Sequence, residues 1–169
     1  MNSQLIILRG NSASGKSTIA SKIRASFPRG EVMLIAQDEV RLNILNVKDR
    51  IENPTADLIQ SIALFGQGKF KIIVIEGILG SHIYKEMFVE LVTNFQQNAH
   101  IYYFDIPFEE TVNRHKTREK SVQWGETVMK KWWLEKDYLR LDNEKTITGD
   151  MSEEEILEMI LKDLVKCNS

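Results

Sequence analysis

A chain of 169 residues that is 43% hydrophobic and 27% charged has the make-up of one soluble domain, with enough apolar content for a core that needs no disulfide or structural metal. Its 22 Lys and Arg against 24 Asp and Glu leave a formal charge of -2, which excludes the global basic signature of a DNA-coating protein but not a local basic patch. The single cysteine, Cys167, excludes an intrachain disulfide, and no apolar run nears the ~20 residues of a membrane span, so a reducing, cytoplasmic setting is expected.

In chain order, Leu5–Leu8 is a continuous apolar run ending at Gly10, too short for a signal peptide. Ile19, Ile23 and Phe27 repeat every four residues and predict a helix that Pro28 and Gly30 stop. Val32–Ala36 is a second apolar run. Asn53-Pro54 reads as an N-cap followed by proline at the first helical position, with Leu58, Ile62 and Phe65 on one face of the helix. Ile72–Ile75 is a third run, followed by the helical stripe Tyr84, Phe88, Leu91 and Phe95. Ile101–Phe104 is a fourth run.

From His115 to Thr127 apolar periodicity is lost and Lys, Arg, Glu and Gln dominate, which predicts a solvated excursion, a short lid over about residues 114–128. Val128, Met129, Trp132 and Trp133 make another helical stripe, and Lys145–Thr148 a weaker fifth strand. Ser152 and Glu155 form a capping box, with Met151 stapled on Ile156 and a buried face of Ile156, Leu157, Ile160, Leu161, Leu164 and Val165. Continuous rather than alternating runs predict strands buried on both faces. The alternation of strands and helices predicts an α/β three-layer sandwich around a mostly parallel sheet, one domain over residues 1–169.

The first strand runs into Gly10, Asn11, Ser12, Ala13, Ser14, Gly15, Lys16, Ser17 and Thr18, which is G-x-x-x-x-G-K-[ST], the P-loop. Its glycines let the backbone approach phosphate closely. Its N–H groups form an anion nest and the helix it opens adds a positive dipole end. Lys16 supplies positive charge to the β- and γ-phosphates, and Ser17 is placed to ligate Mg²⁺. The motif sits between a predicted buried strand and a predicted helix, which is the context that gives it meaning, and it implies nucleoside triphosphate binding. No N-K-x-D guanine-reading motif is present, and the chain is short for a mechanical ATPase, so a small-molecule kinase is the expectation.

Ligands of parallel α/β sheets bind at the carboxyl ends of the strands. Asp38 follows the second strand and is the candidate general base for a hydroxyl acceptor, with an N-cap role compatible beside it. Arg41, one turn on, is either a holder of an anionic or polar part of the acceptor or a solvated helix residue. Glu76, at the end of the third strand, stands where a Walker B acid would bind Mg²⁺ directly or through water. It could instead cap the next segment or share the base role. Asp105 ends the fourth strand, and the helix opened by Pro107 carries Arg114 and Arg118 on one face, candidates to close over the transferring phosphate. Trp124, Trp132 and Trp133 either pack a lid helix on the core or line an acceptor pocket, packing being the expectation. His82, His100 and His115 show no metal-ligand spacing and receive no chemistry.

The P-loop, Gln37-Asp38-Glu39-Val40-Arg41, Ile75-Glu76-Gly77 and Phe104–Thr111 with Arg114 and Arg118 together resemble small P-loop kinases of the nucleoside monophosphate kinase-like class. Within it they are most similar to the group of zeta toxins, chloramphenicol phosphotransferase and the kinase domain of polynucleotide kinase. The resemblance implies a five-stranded parallel sheet in the order 2-3-1-4-5, Mg²⁺-ATP as phosphate donor and Asp38 as base. It leaves the acceptor open. A small hydroxyl-bearing molecule is the leading partner, with a polynucleotide 5′-hydroxyl and a nucleotide-switched binding module as alternatives, and no local motif fixes ATP over GTP. Oligomeric state is not set by the sequence.

Overall fold

The computed structural model describes residues 2–116 and 125–166. Its centre is a five-stranded sheet, β1 (Gln4–Gly10), β2 (Val32–Ala36), β3 (Ile72–Gly77), β4 (Ala99–Asp105) and β5 (Glu144–Thr148), in the order β2-β3-β1-β4-β5. Every neighbouring pair is parallel. The four apolar runs and the weaker fifth segment are the five strands, extended by no more than two residues at either end where the backbone ladder outlasts the apolar side chains. β1 is buried along its whole length because it lies in the middle with helices over both faces, which is why it alternates nothing.

The two faces divide the core by side-chain parity. Leu5, Ile7, Ile73, Ile75 and Ile101 pack under α2 (Thr55–Gly66) and α3 (Ser81–Phe95). Ile6, Leu8, Ile72, Val74, Tyr102 and Phe104 pack under α1 (Lys16–Ala25) and α6 (Glu153–Lys166). The stripe Tyr84, Phe88, Leu91 and Phe95 is wholly buried. The capping box at Ser152 forms as the sequence predicts: the Ser152 N–H donates to Glu155 Oε2 at 2.7 Å and the Glu155 N–H donates to Ser152 Oγ at 3.2 Å. Pro54, rather than Asn53, is the N-cap of α2, and Asn53 Oδ1 accepts from the Thr55 N–H at 2.9 Å just ahead of the helix.

Four expectations change. α2 turns its Thr55, Ile59, Ala63 and Gly66 stripe inward, one residue off the predicted Leu58, Ile62 and Phe65, and Phe65 stands in solvent. Gly66 explains the rotation: a Cβ there would meet Met33 Cε at 2.3 Å, so the helix approaches β2 along its small residues. α1 stops at Ala25, ahead of Phe27, which packs on the core from the following turn. Val165 of α6 is exposed. After α4 (Phe108–Lys116), α5 is short (Glu126–Lys131): Met129 is buried on it, while Trp132 just beyond is half exposed rather than packed on the core. Arg118, Lys120 and Trp124 lie outside the described residues. Among those described, no helix is long and apolar enough to cross a membrane.

Candidate active site

β1 delivers the P-loop between its neighbours, with Arg9 paired to Gly77 of β3 and Gly10 to Phe104 of β4. Gly10 has φ +143°, and a Cβ on it would come to 2.8 Å from the Phe104 carbonyl, so no other residue fits. Gly15, with φ +102°, turns the chain into α1, which begins at Lys16. The residues from Gly10 to Thr18 thus form one turn at the carboxyl edge of the sheet. Lys16 is buried in it, donating from Nζ to the Asn11 carbonyl at 2.6 Å and to Ser14 Oγ at 3.0 Å.

Two sequence-predicted side chains, Glu76 and Arg114, reach this turn from outside it. Ser17 Oγ donates to Glu76 Oε2 at 3.1 Å, so the two residues expected from the sequence as metal ligands meet between the start of α1 and the end of β3. Arg114 of α4 donates from Nη1 to the Ser14 carbonyl at 3.1 Å, pairs with Glu110 through Nη2, and lies beside Gly15. Among the described residues there is no cluster of three or more His, Cys, Asp or Glu side chains able to hold a metal by themselves.

Asp38 and Arg41 stand one strand further out. β2 ends at Ala36, level with Glu76, and the chain then makes a short π-helical turn (Glu39–Ile44), closed by the Leu45 N–H on the Val40 carbonyl at 3.0 Å. Asp38 makes no side-chain cap bond to that turn. Its Oδ1 accepts from Arg41 Nη2 at 3.0 Å and the carboxylate otherwise faces solvent. Arg41 is largely covered, its Nη1 at 3.5 Å from the Val47 carbonyl and its Nε buried without a partner.

Several organising residues were not singled out from the sequence. Gln37, buried beside Asp38, donates to Tyr84 Oη at 2.9 Å and Asp49 Oδ2 at 3.0 Å, and its Oε1 accepts from the Leu79 N–H at 3.2 Å. It fills the space over Gly77, where a Cβ would lie 2.4 Å from Gln37 Oε1. Burial, followed by the hydrogen bond to Asp49, holds the Tyr84 hydroxyl well above its usual range, so it stays protonated and donates to Asp49 at 2.7 Å.

Arg9 is fully buried in β1. Its guanidinium reaches the Asp137 carbonyl and Asp137 Oδ2 at 2.5 Å each, Glu144 Oε1 at 3.1 Å and the Leu79 carbonyl at 3.3 Å, between the rings of Tyr103 and Phe88. Asp137 also accepts from the N–H and hydroxyl of Ser81, the first residue of α3. The segment that follows α5 is therefore tied to β1, α3 and β4. At β4, Asp105 accepts from Lys136 Nζ at 3.0 Å and Tyr138 Oη at 2.5 Å. Burial raises the Asp105 carboxyl, but these two donors outweigh it and hold it below its usual value, while the same bond pushes Tyr138 up to about 12. A charge inside an apolar strand run was the available sequence signal for Arg9, since a buried cation needs partners.

No protein-family model matches the chain, and no curated protein matches it. Solved structures do. It is similar to an APS kinase of Mycobacterium tuberculosis, solved in complex with AMPPNP and APS, with a TM-score of 0.75 and 13% identity over 97% of this chain and 98% of that one. A gluconokinase of Sinorhizobium meliloti gives a TM-score of 0.63 at 13% identity, covering 98% of this chain and 94% of that one. A sugar kinase of a Janibacter species gives 0.62 at 18% identity, covering 96% and 95%. At these identities the likeness is one of fold: the chain has the P-loop kinase fold, with its parallel sheet in the order 2-3-1-4-5.

Proposed function

We propose that the protein is a kinase that moves the γ-phosphate of ATP to a hydroxyl of a small molecule, with Mg²⁺ as cofactor. The observation that carries this reading is the grouping at one sheet edge of a P-loop lysine, an oxygen pair and a solvent-facing carboxylate on the adjoining strand end. The P-loop residues Gly10 to Thr18 hold the phosphates, with Lys16 leaving the Asn11 carbonyl for the β- and γ-oxygens. Ser17 and Glu76 are hard oxygen donors 3.1 Å apart, too few for a protein-only cage. They suit a Mg²⁺ ion that takes its remaining ligands from phosphates and water. When bound, that ion offsets the negative charge on the transferring group.

Asp38, oriented by Arg41, takes the proton of the acceptor hydroxyl as its oxygen bonds to the γ-phosphorus. The bond from that phosphorus to the β–γ bridging oxygen breaks and ADP leaves. Arg114, resting on the P-loop, supplies charge next to the phosphates, and Arg118 is its proposed partner. The Asp38-x-x-Arg41 spacing is similar to that of polynucleotide kinases. The test is an acceptor screen on the purified protein, reading ADP release and product mass with nucleosides, antibiotics, sugars, nucleotide-sugars and short oligonucleotides. A phosphorylated small molecule is the expected product. Phosphate transfer confined to oligonucleotides would replace the acceptor class, and ADP release without any phosphorylated acceptor would leave a nucleotide switch.

A further inference from the structure

Between its two glycines, the P-loop is held from outside at three positions by chain that follows β4. The buried Asn11 side chain donates through Nδ2 to the Leu134 carbonyl at 2.7 Å and accepts at Oδ1 from the Leu134 N–H at 2.9 Å. Ala13 packs in a small cluster with Val112 of α4 and Met129 of α5, edged by Phe108. The Ser14 carbonyl accepts from Arg114. Leu134 in turn belongs to a segment fixed independently of the P-loop. Asp137 is bound to Arg9, Ser81 and Tyr103; Lys136 and Tyr138 to Asp105; and the N–H groups of Leu139 and Arg140 to Glu144 Oε2. Leu134 is thus the anchored partner and Asn11 the positioned one.

The loop needs such support. A nest that turns its N–H groups inward uses left-handed residues, here Gly10, Ala13 with φ +59° and Gly15. For alanine that conformation is disfavoured and persists only where the surroundings impose it. We infer that Asn11 is a positioning residue that holds the P-loop in its phosphate-receiving shape before a nucleotide arrives. Both halves of its amide are committed to Leu134, so the side chain governs nucleotide affinity without touching the phosphates and has little part in the transfer step. This rests on reading the P-loop as the nucleotide site.

Two measurements test it. Hydrogen exchange on the nucleotide-free wild type should show the Leu134 amide protected by at least about 100-fold, although it lies in no strand or helix. Exchange at the rate of a free chain would overturn the latch. Calorimetric titration with ADP should show Asn11→Ala weakened by about 10- to 100-fold, the loss of both hydrogen bonds of a buried side chain, with ADP release at saturating ATP within about 3-fold of wild type. Leu134→Ala, which keeps both backbone partners, should bind ADP within about 3-fold of wild type. Unchanged ADP affinity in Asn11→Ala, or a fall in turnover with affinity intact, would overturn the inference. If Asn11→Ala does not fold, Asn11→Ser, whose hydroxyl reaches one partner at most, is titrated by the same criterion. A wild type that binds no ADP would remove the proposed function, while the exchange measurement still decides whether the latch exists.

Discussion

On the donor side, Lys16 is 6% exposed and Asn11 5%, and each has its polar atoms bonded within the P-loop or to Leu134. On the acceptor side the Asp38 carboxylate is 68% exposed, and Leu42, Ile44 and Ile51 in the chain that follows stand 48%, 61% and 66% exposed. One region is built from β1, the most buried strand, and is braced by α4, α5 and the segment after it. The other hangs from β2, an edge strand, on a six-residue π-helical turn and a loop. The contrast separates two tasks. On the proposed reading, phosphate binding would rest on the core, where the loop backbone is already held in place. On the same reading, selection of the acceptor would fall to an edge-strand turn and loop, the kind of element that varies at less cost to the fold.

The largest effect should come from the donor side. Lys16→Ala should lower phosphate transfer by at least about 10³-fold in a steady-state ADP-release assay, since it removes the only cation inside the described loop. Near-normal turnover would mean that the P-loop does not hold the donor. Asp38→Asn should lower kcat by about 10²-fold while the ADP dissociation constant stays within about 3-fold of wild type. A variant that loses ADP binding together with turnover would erase the division between the two sides.

The division also has a structural test. Arg9→Met leaves the largely covered Asp137 and Glu144 without their cation, and should cost about 2 to 4 kcal/mol in denaturant unfolding. The unfolding midpoint in denaturant reads it directly. A loss below about 1 kcal/mol would show that the segment after α5 is held by its other bonds, and that the donor side draws less on Arg9 than its burial implies.

The same contrast decides what the sequence could reveal. Four strands were legible because the middles of strands in a parallel sheet under two helical layers are continuous apolar runs, as in β1 to β4, while the edge strand β5 left only a weaker signal. The P-loop was legible because its chemistry is local, carried by nine consecutive residues. The meeting of Ser17 and Glu76 could be anticipated because one follows from the P-loop motif and the other from the end of β3. The bracing was not legible. The partners Asn11 and Leu134 lie 123 positions apart, and Arg9 and Asp137 lie 128 apart, and both pairs need the sheet order before they can meet. The inward face of α2 was misjudged by one residue because Gly66 carries no apolar signal, although its missing side chain is what lets the helix sit close to Met33. The π-helical turn after β2 had no signature at all, and with it the largely covered setting of Arg41 went unseen.

The smallest effect should come from the apolar side chains around Asp38. Ile44 is already in water in the folded chain, so folding hides little of its surface, and at about 25 cal/mol per Å² a Ser in its place forgoes little burial. Ile44→Ser should therefore change unfolding free energy by less than about 0.5 kcal/mol and Tm by less than about 2 °C in calorimetry. The result discriminates because a donor-side change of similar chemistry behaves differently: at Ala13 the side chain packs against Val112 and Met129, and any polar substitution meets a closed cluster. If Ile44→Ser costs more than about 1 kcal/mol, the side chain is covered in the free protein. The acceptor side would then be as closed as the P-loop, and an acceptor would have to displace structure rather than fill an open edge.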